Sequence, residues 1–157
     1  MGTMKSLAVA QHMIEQCAAS GDGSVTPMQL IKLVYIAHGY MLGLHGRPLL
    51  DESVQAWQYG PVVPSVYHAV KQFKNSPVSA MQCGSVAGFT DDERAVMRKV
   101  ASTYGKFSGV ILSSATHKPG TPWSVTWASA GQNAPISNDI IESFYADTLS
   151  KPSHSAL

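Results

Sequence analysis

Charge is scarce in this chain. Lys, Arg, Asp and Glu make up 13% of its 157 residues, about half the usual share of a soluble domain. Eleven basic and ten acidic residues leave a formal charge of +1. The basic residues are scattered, so the long-range field that draws proteins to nucleic acid is weak and a DNA- or RNA-binding role is disfavoured. Cysteine is nearly absent as well. Cys17 and Cys83 stand far apart without Cys-x-x-Cys spacing, which points to two buried thiols in a reducing cytosol and away from a disulfide framework or zinc ribbon. The most apolar stretch, residues 30 to 44, is interrupted by Lys32, His38 and Gly39, and the N-terminus is too weakly apolar for a secretory signal. No membrane partner is therefore expected, and the location is expected to be cytoplasmic.

Motifs of chemistry are missing too. The chain has no Gly-x-Ser-x-Gly elbow, no phosphate-binding glycine loop, no dinucleotide fingerprint and no His-Glu-x-x-His pair. Asp51-Glu52 sits in a loop, and Asp91-Asp92-Glu93 follows Thr90 as a helix start, where capping and the helix dipole are sufficient reason for acids. Six histidines are present. His38 and His45 are placed to share a helical face, but no carboxylate completes a metal site, so structural roles are favoured. His12 and His154 lie near the ends, and His68 and His117 each adjoin an aromatic turn. No catalytic residue, metal ligand or cofactor is assigned.

What the chain does contain is helical periodicity. Leu7, Ala10, Met13 (or Ile14) and Cys17 form one apolar stripe over residues 5 to 19. Thr26-Pro27-Met28-Gln29 then combines an N-cap, a proline at the first helical position and a capping-box glutamine. The helix it opens is apolar around most of its circumference, from Leu30 through Met41 to Leu44, and belongs at the centre of the domain. Further helices are expected over residues 65 to 73, from Thr90 (with Ala95, Val96, Val100 and Tyr104 inward), over 108 to 116, and from Ser137; 124 to 130 is expected as a single turn. Residues 75 to 89 are small and polar, the pattern of a mobile linker. The expected architecture is mainly α, a compact single-domain bundle of about six helices, with a minor β-hairpin near residues 47 to 58. The domain should span residues 5 to 149, followed by a flexible tail at 150 to 157.

The most informative block is Ala56-Trp57-Gln58-Tyr59-Gly60-Pro61-Val62-Val63-Pro64-Ser65-Val66-Tyr67. Gly60 reaches backbone angles closed to other residues, while Pro61 and Pro64 each lock φ and lack a donor, so the corner should be rigid. A second stiff turn, His117-Lys118-Pro119-Gly120-Thr121-Pro122-Trp123, delivers another aromatic. Two readings stay open: the rings fill the core beside their turns, or they present a stiff contact surface. On the second reading the partner-binding residues are Trp57, Tyr59, Gly60, Pro61, Val62, Val63 and Tyr67, with His117 and Trp123 behind them.

Taken in order, Gln29 to Tyr40 with its Lys32-Leu33-Val34-Tyr35 core, then Gly46-Arg47-Pro48-Leu49, then the Trp57 to Tyr67 corner, resembles the Panacea domain of SocA-like antitoxins and prophage-associated GepA-type proteins. The stretches Ser113 to His117, Pro122-Trp123 and Ile136 to Phe144 resemble the second half of that family. Tyr59 stands where the family often has histidine. The resemblance implies an antitoxin that binds a cognate toxin protein directly. In one branch of the family it implies an adaptor that delivers the toxin to a ClpXP-type protease through a ClpX-type unfoldase. No reaction is implied, and the oligomeric state is left open. A competing reading of another class is a small-molecule enzyme or sensor whose cleft is formed by Tyr35, His38, Trp57 and His117.

Overall fold

The computed structural model describes residues 3–20, 24–78 and 88–151. Most of the expected linker at 75 to 89, including Cys83, lies outside the described residues, as does the tail beyond residue 151. Helix α1 spans Thr3–Ser20, α2 Pro27–His45, α3 Pro64–Val70, α4 Asp91–Tyr104, α5 Gly109–Thr116, α6 Pro122–Ala130 and α7 Asn138–Leu149, with a 3-10 turn at Lys71–Phe73. Strands β1 (Val54–Trp57), β2 (Gly60–Val62) and β3 (Ala134–Ile136) form an antiparallel sheet in the order β2-β1-β3.

The helix starts follow their sequence signals. Thr26 and Gln29 close a full capping box, as do Thr90 and Glu93, and Ser108, Thr121 and Ser137 each cap a helix with a side-chain oxygen. Helix α3 has no such cap of its own. Its first-turn amide at Ser65 donates instead to Glu52 Oε1 at 3.2 Å, and the Ser65 hydroxyl donates to the same carboxylate. Glu52 thus places an acid where the helix dipole is positive.

Helix α2 is the axis of the molecule. Every residue from Leu30 to Leu42 is buried, and α1, α4, α5, α7 and the sheet pack around it. An apolar circumference leaves a helix no favourable place except the interior. The stripe runs out sooner than periodicity predicts, since Leu44 is 53% exposed. On α4, Ala95 faces solvent and Val96 faces inward.

Helix α7 reaches α2 closely because Gly39 and Gly43 carry no side chain. A Cβ at Gly43 would stand 2.8 Å from the Tyr145 backbone carbon, and one at Gly39 would fall on the Tyr145 ring. Tyr35, Tyr40, Tyr104 and Tyr145 fill the space around this crossing, each 2% exposed or less. The Tyr40 and Tyr104 hydroxyls meet at 2.7 Å, which satisfies polar tips that would otherwise be stranded in the core.

Two elements exceed the expectation. Residues 122 to 130 form a nine-residue helix, α6, where one turn is expected. The hairpin lies at 54 to 62, shifted towards the corner, and gains a third strand because Val54, Gln55 and Ala56 pair with Ile136, Pro135 and Ala134. A run as short as Ala134-Pro135-Ile136 has no periodicity to detect, and only the edge of β1 makes it a strand.

Replacing Gly39 by Ala is expected to destabilise the protein by about 1–3 kcal/mol through overpacking against Tyr145. Ser102→Ala on the exposed face of α4 should change stability by less than about 0.5 kcal/mol. Denaturant midpoints measured side by side would check the contrast.

Candidate functional site

The β1–β2 corner is held by its carbonyls. Trp57 O accepts from Trp123 Nε1 at 2.6 Å, Tyr59 O from Ser113 Oγ at 2.6 Å, and Pro61 O from Lys32 Nζ at 2.8 Å. The donors belong to α6, α5 and α2, so alternate residues of the hairpin are tied to three separate helices. Gly60 lies between the last two tethers with φ 121°, a conformation that lets the Gln58-Tyr59 turn close without strain. A Cβ there would also stand 3.0 Å from Lys32 Nζ, so the absence of a side chain opens the lysine's path to the carbonyl.

The two aromatic turns found in the sequence come together. Trp57 meets Tyr67 edge to face with centroids 4.8 Å apart, and His117 meets Trp123 in the same way at 5.2 Å. Trp123 stacks on Trp127 at 5.1 Å, and its indole reaches across to the Trp57 carbonyl. The His117 ring donates from Nδ1 to the Ser113 carbonyl, which fixes its tautomer and leaves Nε2 without a proton in the neutral ring.

These residues divide into a surface and its support. Tyr59 is 66% exposed, and Trp57, Tyr67, His117 and Trp123 are half-buried, each ring partly packed and partly open. Gly60, Pro61, Val62 and Val63 are buried. Val63 belongs to the core. Its side chain faces inward because the chain turns from the sheet into α3 at that residue.

Beside the corner lies a groove of about 440 Å3. Met28 and Ile31 of α2, Trp57, Tyr59 and Val62 of the hairpin, and Tyr67 of α3 give it apolar walls; Lys32, Lys71, Lys74 and Gln132 add polar groups, and no described carboxylate lines it. Lys71 places its ammonium 5.9 Å from the Tyr67 ring centroid. Lys32 is 3% exposed. Its one hydrogen bond among the described residues goes to Pro61, and no described carboxylate lies within 4.0 Å. Burial without a counter-ion favours the neutral amine and pushes the lysine down to about 7.

The cleft expected from Tyr35, His38, Trp57 and His117 does not form. Tyr35 and His38 are at most 1% exposed, and neither borders the groove. His38 is a structural staple: Nδ1 accepts from the amides of Leu49 and Leu50 at 3.3 and 3.2 Å, while Nε2 donates to Asn138 Oδ1 at 3.0 Å. Burial lowers its pKa, against an opposing contribution from Asn138. His45 points instead to the surface, 3.8 Å from Asp92. Among the described residues no group of three or more His, Cys, Asp or Glu could hold a metal, and no helix is long and apolar enough to cross a membrane.

Sequence reasoning missed Lys32, Ser113, Lys71 and Lys74 as members of the site. A signal for Lys32 was present, since a lysine inside Leu30-Ile31-Lys32-Leu33-Val34 must either distort a buried helix or find a purpose there. Ser113 and the surface lysines carry no signal that distinguishes them from their neighbours.

The sequence model described as "Antitoxin SocA-like, Panacea domain" matches residues 30–124, a span that contains all three tethers of the corner. Antitoxin SocA of Caulobacter vibrioides (strain NA1000 / CB15N) is 30% identical over 136 residues, which cover 80% of this chain and 72% of the relative. The chain belongs to the SocA-like antitoxin family. No solved structure matches it. Membership of this Panacea-domain family agrees with the sequence resemblance and with the mainly helical fold.

The buried lysine has a pH signature. The folded state holds Lys32 near 7 against 10.5 for the free group. Between those values the unfolded chain binds a proton that the folded chain does not, so stability rises with pH across this window, is lost as pH falls from 10.5 towards 7, and levels off below 7. Relative to Lys32→Met, the wild type should gain stability from pH 7 to pH 10 with a slope of up to about 1.4 kcal/mol per pH unit. Urea melts of both proteins across that range would check it; parallel curves would contradict the burial of an uncompensated amine.

Proposed function

We propose that this chain neutralises a cognate toxin by binding it directly, through the face built on Tyr59, Trp57 and Tyr67 and continued by His117 and Trp123. The observation that carries the reading is the triple tethering of the corner beneath an exposed tyrosine. Binding normally costs ordering entropy at the contact residues, and a backbone already held at Trp57, Tyr59 and Pro61 has little left to lose. Tyrosine and tryptophan are the usual anchors of such contacts, because each offers a large apolar area with a polar tip and few rotatable bonds. Family membership supplies the class of partner, a toxin. The Gly60-Pro61-Val62-Val63 segment acts as the foundation of this face.

The test is co-expression with the product of the adjacent gene. Growth should be rescued and a complex should co-purify, while Tyr59→Ser, which removes an exposed ring and leaves the tethers intact, should weaken the complex by tenfold or more, about 1.4 kcal/mol. Rescue of growth with the two proteins separable under all conditions would reject direct binding. Toxin half-life followed in the same cells separates sequestration from delivery to an unfoldase and protease.

A further inference from the structure

We propose that the groove beside the corner is a carboxylate-binding site that receives a Glu or Asp side chain of a partner polypeptide, flanked by apolar neighbours, with Lys32 as its deep cation and Lys71 and Lys74 at its mouth. This deepens the antitoxin reading and rests on it for the identity of the partner as a protein. Three observations carry it. First, among the described residues the groove is charged with one sign: it is lined by Lys32, Lys71 and Lys74 and by no acid. Second, Lys32 is 3% exposed yet uses one of its three N–H groups, on Pro61 O, and has no described counter-ion. A buried ammonium in that state is poorly compensated and sheds its proton readily; an incoming carboxylate supplies both the missing charge and a second acceptor, and so holds Lys32 as the cation. Third, the walls formed by Met28, Ile31, Trp57 and Tyr67 are apolar and continuous with exposed Tyr59, so the residues beside the acid have somewhere to go.

The occupant is a short peptide segment on grounds of size and polarity. About 440 Å3 lies within the range of small-ligand pockets, which admits a few side chains and not a folded surface. A bare carboxylate leaves the apolar walls wet, whereas an acidic residue between two apolar ones covers them and gives the groove its own contribution to specificity.

The experiment uses the whole chain and the tripeptide probes acetyl-Leu-Glu-Phe-amide and acetyl-Leu-Gln-Phe-amide, with acetate as a third ligand. Binding is followed by NMR at the Lys32 ammonium and the Trp57 indole. Saturable shifts at both groups, with the Glu peptide at least tenfold tighter than the Gln peptide and than acetate, are expected. Lys32→Met should abolish that preference. Should this variant fold poorly, Lys71→Ala with Lys74→Ala, both on the surface, should weaken the Glu peptide severalfold and reduce its salt dependence. Equal affinity for the Glu and Gln peptides, acetate binding as tightly as the Glu peptide, or no saturable shift at Lys32 overturns the proposal. The peptide titration needs no toxin. A toxin complex that survives loss of the peptide site sinks the groove alone, and peptide binding without any toxin complex sinks the antitoxin reading alone.

Discussion

Three hydrogen bonds to alternate carbonyls of one hairpin organise the part of this protein that faces outward. Trp123, Ser113 and Lys32 each donate to the corner from a different helix, so moving the corner requires α6, α5 and α2 to move with it. Proline at position 61 removes a competing donor and locks its own φ, and glycine at 60 admits the lysine. Stiffness here comes from tertiary contacts acting on a backbone already restricted by its residues. An exposed tyrosine on such a support has little backbone freedom left to lose.

The same helix that closes the core also serves the corner. Helix α2 buries every side chain from Leu30 to Leu42, packs its glycines against Tyr145, and uses His38 to clip the Leu49-Leu50 segment to the start of α7. Lys32 is the member that does not fit a purely structural purpose. A buried amine with a single hydrogen bond is less stabilising than an apolar side chain of similar volume, and a local rule broken in this way belongs to a site more often than to a scaffold.

Much of the fold was legible because its signals are local. Capping boxes at Thr26 and Thr90 depend on residues three apart, and the apolar circumference of α2 on the consecutive positions 30 to 42. Strand β3 was not legible, since three residues become a strand only when β1 offers an edge. Nor was the extent of α6, whose nine residues carry no apolar stripe to mark them. Within the site, aromatic residues beside glycine and proline announced the corner. Its foundation at Val63 and its tether at Ser113 could not be told from ordinary core and surface positions.

The sequence alone determined a mainly helical domain, a central apolar helix and two stiff aromatic turns, because each follows from chemistry within a dozen residues. Which rings face solvent, that Trp123 reaches the Trp57 carbonyl across 66 positions, and that Lys32 lies beneath Pro61 were decided by the tertiary structure. The physical reason is that a hydrogen bond or a buried charge depends on distance in space, and sequence distance constrains that only within a single element.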